Sequence, residues 1–297
     1  MQTIKFLNEH LMVGNLGHFA VIISVFGALF AAICYTRAVR HPMQGWLKLA
    51  RIGFIIQALA VLTIFITLFT IIHSHYYEYQ YAWQHSSNTL PTQYMISCFW
   101  EGQEGSFLLW MFWHAVLGCI LLVKAKSWEA PVMAIVSLAQ VVLGSMLIGI
   151  DIYIPAWHEI IPNDLSSIHI LGNLHLNTYH LGSSPFQLLR EHQPDFLRIP
   201  VIEMLGGPAH YLKAVKDGNG LNPLLQNYWM VIHPPTLFFG FACVIVPFAY
   251  AFAGLWTKKY KEWITPALPW TLIAVMVLGT GIIMGGYWAY ESLNFGG

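Results

Sequence analysis

His233-Pro234-Pro235 is the pattern in this chain best suited to chemistry, and its histidine stands seven residues after the run Gly220-Leu221-Asn222-Pro223-Leu224-Leu225-Gln226. A neutral imidazole ligates metals and titrates near neutrality. Proline is tolerated in the first turn of a helix, where its missing N–H would have had no partner. The two prolines therefore predict that His233 sits at or just before a helix start. The apolar stretch from Thr236 to Trp256 is long enough to cross a hydrocarbon core of roughly 30 Å, which puts the imidazole near a bilayer surface.

A second pattern runs from Trp100 to Trp110 as W-E-G-Q-E-G-S-F-L-L-W. Gly102 and Gly105 permit a tight turn or close backbone approach, Ser106 is a candidate helix cap, and Glu104 complements the positive end of a helix starting there. The plainer reading makes Glu101 and Glu104 solvated cap residues and the tryptophans an interfacial belt. Against it stands the aromatic density at this level: Tyr76, Tyr77, Tyr79, Tyr81, Trp83, Tyr94, Phe99, Trp100, Trp157, Trp229, Tyr287, Trp288 and Tyr290. A flat aromatic shelf beside an axial histidine is what a porphyrin requires.

Ten of the 14 histidines (73, 75, 85, 158, 169, 175, 180, 192, 210 and 233) fall on that same side. Spacings such as His169, His175 and His180 match no tight metal template, so a separate metal site in the loop is the weaker reading. His114 lies inside an apolar span, where an ionisable group suggests a proton path or haem ligand, while an imidazole hydrogen-bonded between helices is the structural reading. Cys34, Cys98, Cys119 and Cys243 are scattered singly, which excludes a C-x-x-C thiol motif and a C-x-x-C-H site for covalent haem on this chain. Cys98 alone is expected to face outward, the other three to be buried.

The elements that must position these groups follow from composition. Of 297 residues 57% are hydrophobic and only 9% charged, beyond the range of an ordinary soluble domain. The fold class is all-α, a polytopic transmembrane bundle with spans at about 17–36, 52–72, 106–123, 131–153, 234–256 and 268–289, each near the required length. This divides the chain into four spans with an aromatic loop (1–154), a long outer loop (155–227) and two further spans (228–297). Nine of the 14 Lys and Arg fall between spans one and two, three and four, or five and six, which predicts that these loops are cytoplasmic and both termini outside. The first apolar run reads as a retained helix, since its positive flank is C-terminal.

Together the two motifs, W-x-G-x-E-G-S-x-L-L-W and G-x-N-P-L-L-Q-x(6)-H-P-P, resemble those of the cytochrome c haem lyases of the CcmF and CcsA type. The end of the chain, Gly286 to Gly297, is similar to the stretch leading into that family's tryptophan-rich haem motif. The resemblance implies a multi-pass protein of the inner membrane that holds haem b on its periplasmic face and assists thioether attachment to apocytochrome c at C-x-x-C-H. It implies His233 as axial ligand to haem iron and places Pro234, Pro235, Trp100, Glu104, Gly105 and Trp288 at the cofactor, with only a structural or docking role for Trp100, Glu104, Gly105 and Ser106. The implied partners are the apocytochrome, a haem-delivery protein, membrane lipid, and other maturation subunits or a C-terminal half; no nucleic acid is expected. The tryptophan-rich motif and later histidines would follow Gly297, so a lyase component that is incomplete alone is expected, from either a fragment or a split gene.

Two other classes stay open: a transporter, and a haem or quinone electron-transfer subunit without lyase activity. The first would show broken or repeated helices, and the second paired histidines on facing helices. For topology, we expect a cysteine placed at residue 2 to react with a membrane-impermeant maleimide in intact spheroplasts. Reaction only after lysis would reverse the orientation.

Overall fold

Six long helices frame the computed structural model, which describes residues 5–42, 45–155 and 176–292. They are α1 (Leu11–Arg40), α2 (Trp46–His73), α3 (Gln103–Lys124), α4 (Glu129–Ser145), α5 (Tyr228–Trp256) and α6 (Ile264–Ser292). Each carries a run apolar enough to cross a membrane. Such a run must be helical, because hydrocarbon offers its backbone groups no outside partner. The predicted all-α, multi-pass membrane fold is what forms.

Short turns join α1 to α2, α3 to α4 and α5 to α6 on one face. All nine lysines and arginines assigned to those connections lie there. The opposite, loop-rich face holds the remaining connections, the start of α1 and the end of α6. Within the bundle α1 packs on α2 and α4, and α3 packs on the same two, closing a ring of four; α5 lies against α3 and α4 and carries α6 on its other side.

Two predicted boundaries are corrected. The fourth span, expected to reach residue 153, ends at Ser145. Gly149 then takes a left-handed φ of +58°, and Ile150–Pro155 becomes a strand paired antiparallel with Leu176–Leu181, Ile150 opposite Leu181. The sequence there, Ile150-Asp151-Ile152-Tyr153-Ile154, alternates with period two and is rich in β-branched residues. The fifth helix starts six residues before the expected residue 234, at Tyr228, where the side chain of Asn227 accepts from the Trp229 N–H at 3.0 Å. His233 is thus inside the helix, in its second turn.

Of the predicted loop 155–227, the described part folds over the loop-rich face as short helical pieces, among them Leu189–His192, Pro200–Met204 and Pro208–Lys213. Trp157, His158, His169 and His175 lie outside the described residues, as do the last five residues of the chain. The N-terminal tail pins this layer down: Glu9 accepts from Arg190 Nε at 2.7 Å and from the Tyr211 hydroxyl at 2.8 Å. Burial, first, and the bond to Glu9 hold the Tyr211 hydroxyl well above its ordinary pKa.

At the short-turn face the fork of Arg51 on α2 grips both carboxylate oxygens of Glu129 on α4, at 2.7 and 2.6 Å. Glu129 is buried while Arg51 is half-exposed. Planar bidentate pairing of this kind is the strong form of a charge-assisted bond. We expect Glu129→Ala to lower stability in detergent by about 2 kcal/mol, within the range for hydrogen bonds to charged groups, and Arg51→Lys by less. An unchanged thermal midpoint for both would show that the pair does not tie α2 to α4.

Candidate functional site

Two glycines on α6 open the space that His233 fills. A methyl added at Gly285 would lie 2.6 Å from the imidazole Cε1, so only glycine fits there. One turn away the Gly281 carbonyl lies 2.9 Å from His233 Nδ1. A carbonyl can only accept, so Nδ1 carries the proton and Nε2 keeps its lone pair, without a hydrogen-bond partner among the described residues. The Trp288 ring centroid is 5.6 Å from that of the imidazole. Its indole N–H is buried with no partner among the described residues.

The prolines have a different role from the one expected. Pro234 has no N–H to give to the carbonyl four residues back, which belongs to Met230. Trp100 replaces it, its indole Nε1 donating to the Met230 oxygen at 2.8 Å inside the protein. Trp100 is 7% exposed and Phe99 1%. The signal for this contact was present in the sequence as a proline in the second turn of an apolar helix, which obliges some other group to donate.

The predicted aromatic shelf is corrected accordingly. Tyr77, Tyr79, Tyr81 and Trp100 are buried, their polar ends having partners inside the protein, and the apolar Phe99 is buried with them. Tyr79 accepts from the Gly14 N–H and donates to the His10 carbonyl, both at 2.9 Å. Tyr81 donates to the Phe99 carbonyl at 2.7 Å and accepts from Gly102 N–H at 3.2 Å. The aromatic groups that remain near His233 are Trp288, Trp229 and Tyr287, the last two edge to face at 5.0 Å, with Trp229 Nε1 donating to Glu291 at 2.8 Å.

Gly105 is where the W-x-G-x-E-G-S segment turns into α3, and a methyl there would overlap the Phe99 carbonyl oxygen. Ser106 does not cap the helix: α3 already starts at Gln103, and the Ser106 hydroxyl donates back to the Trp100 carbonyl at 2.8 Å. Glu104, in the first turn, accepts from Ser183 of the covering layer. Cys98 is fully buried, contrary to expectation, and the exposed cysteine is Cys119; burial pushes the Cys98 thiol up to about 12, which keeps it protonated and inert.

The motif 220–226 docks on the segment after α2, Asn219 N–H donating to Trp83 O at 2.7 Å and Gly220 N–H to Ser86 O at 3.1 Å. The other histidines disperse. His10 pairs with Glu78 at 2.8 Å, His85 with Glu101 at 3.1 Å, and His192 with Gln187 at 3.3 Å. Among the described residues no three His, Cys, Asp or Glu side chains gather as a metal site. A cleft of about 790 Å³ at the loop-rich face, bordered by Asn15, His18, Ser184 and His192, shares no lining residue with the His233 site.

Fold and geometry together define a helical membrane protein with one imidazole held between two helices at its loop-rich face. Residues 100–297 match the family described as Cytochrome C assembly protein, and the chain belongs to that family. It is 30% identical over 290 residues to cytochrome c-type biogenesis protein CcmF of Haemophilus influenzae, covering 96% of this chain and 37% of that one. CcmF of Pseudomonas aeruginosa is 27% identical, with 96% and 36% covered. The chain thus spans little more than a third of these relatives. A solved structure, cytochrome c heme lyase CcmF, superposes with a TM-score of 0.67 over all of this chain and 39% of its own length, at 22% identity, and so shares the fold.

Trp100→Phe keeps an aromatic, though smaller, side chain and removes the donor. Leaving the buried Met230 carbonyl unpaired should lower stability by about 1–3 kcal/mol. In a Pro234→Ala background, where the backbone regains an N–H, the same change should cost much less. Equal losses in both backgrounds, by thermal unfolding, would mean the indole does not stand in for the missing backbone donor.

Proposed function

We propose that this chain is the haem-holding N-terminal part of a cytochrome c haem lyase, binding haem b on the periplasmic face of the inner membrane while it is joined to apocytochrome c. The observation that carries the reading is the 2.9 Å contact between His233 Nδ1 and the Gly281 carbonyl. Nδ1–H is committed to the Gly281 carbonyl, which orients the ring and leaves Nε2 as an iron ligand, the usual arrangement behind a metal-binding histidine. One imidazole suffices for a metal that brings four other nitrogens with it, as porphyrin iron does.

Haem is the substrate, and its vinyl groups are the carbons to which the thiols of a C-x-x-C-H sequence add. The residues of this chain supply position. His233 sets where the iron stands, Trp288 lies beside the imidazole, and Trp100, Gly105, Pro234 and Pro235 hold the start of α5 in place. Glu104 joins the covering layer to α3. Such positioning converts an encounter of two large reactants into a step within one complex. The thiols belong to the apocytochrome. A haem-delivery protein, and further maturation subunits or a C-terminal half, complete the assembly.

We expect His233→Ala to insert into the membrane at wild-type levels and to lower haem-stained cytochrome c at least about tenfold, the low end of what disturbing a ligand shell costs. Absorbance spectra of the purified variant should lose the bound-haem band in parallel. Normal cytochrome c staining with His233→Ala would end the assignment.

A further inference from the structure

Four polar side chains in the ring α1–α4 meet at mid-depth with most of their hydrogen-bonding atoms unused. Gln57 on α2, Ser137 and Gln140 on α4 are fully buried and His114 on α3 is 3% exposed. Among the described residues both side-chain polar atoms of Gln57, both ring nitrogens of His114, the Ser137 hydroxyl and Gln140 Oε1 have no partner, six atoms in all. The expected structural reading of His114, an imidazole hydrogen-bonded between helices, is therefore not what forms within the protein alone.

Helix contacts bring these groups to one level. Gln140 Nε2 donates to the Met111 carbonyl at 2.9 Å, so Ser137 and His114, each about one turn farther toward the short-turn face, stand opposite each other on α4 and α3. A methyl at Gly118 of α3 would overlap the Phe54 ring of α2. His114 lies one turn from Gly118 and Gln57 about one turn from Phe54, in the same direction. Gln57 in turn backs onto α1, where a methyl at Gly27 would be 3.3 Å from its Cβ. All four helices of the ring therefore border the same layer.

Hydrocarbon cannot satisfy these atoms, and a buried polar group left alone is costly enough that nearly all such groups have partners. The mixture is also telling, for the free set holds donors and acceptors together. A ligand that both gives and takes hydrogen bonds in a small space is required, and water is that ligand. We propose that Gln57, His114, Ser137 and Gln140 enclose an internal water cluster at the centre of the membrane-spanning ring. Six free atoms call for about two molecules, at roughly three hydrogen bonds per buried water. The cluster is separate from the His233 site and does not depend on the lyase reading.

Radiolytic footprinting tests this directly, because an X-ray pulse turns bound water into hydroxyl radical that oxidises whatever side chain it touches. Met111, whose carbonyl accepts from Gln140, is 1% exposed; Met133, one turn from Ser137 on α4, is 0% exposed, and Cys243 on α5, also 0% exposed, is the buried control. In wild-type protein in nanodiscs we expect Met111 and Met133 to be oxidised several-fold faster than Cys243 and at a rate approaching that of Met204, which is 85% exposed. The triple variant Gln57→Leu, His114→Leu, Ser137→Ala should lose the labelling of Met111 and Met133 and keep that of Met204. Wild-type rates at Met111 and Met133 no higher than at Cys243 would show a dry layer and overturn the proposal, whether or not the triple variant folds.

Discussion

A polar group buried away from water must find a partner within the protein, and the Met230 carbonyl is the place where this constraint organises the fold. Pro234 takes away its helical donor, and Trp100 supplies another from 130 residues earlier in the chain. For the indole to reach, the segment 98–105 must fold inward, which Gly105 permits by lying against the Phe99 carbonyl. The bond thus couples the start of α3 to the start of α5. The two motifs separated in sequence are two sides of one hydrogen bond.

Much of the frame is legible in the sequence. Runs of apolar residues must become helices in a bilayer, so the existence and order of six spans followed from length alone. Hydropathy does not register a change of period, however, and so it carried the fourth span through Ile150, where the alternation of isoleucines and the left-handed Gly149 start a strand. Proline rules misplaced His233 for a related reason. They describe helices whose freed carbonyls have only water to turn to, and here a tryptophan side chain lets the helix begin six residues earlier.

The aromatic side chains teach a narrower lesson. Composition established that they crowd one face, but not which way they point, and their hydroxyl and indole groups decide that. Tyr79 and Tyr81 each give and receive a hydrogen bond inside the protein, which makes burial favourable and removes them from any open surface. Trp229, Tyr287 and Trp288 lie instead along the outer turns of α5 and α6. The candidate site is therefore smaller than sequence suggested and is shared by two helices.

That sharing has a chemical consequence. His233 belongs to α5, yet the proton on its Nδ1 is fixed by a carbonyl 48 residues away on α6. In an ordinary helix that carbonyl would be screened by the side chain one turn on, and Gly285 leaves it open. A carbonyl has two lone pairs, so it can keep its helical bond and still accept from the imidazole. Neither helix alone sets the imidazole: α5 brings the ring, α6 selects which nitrogen is free. The open Nε2 is then a property of the α5–α6 contact, and any change that parts the two helices acts on the ring before it acts on the fold.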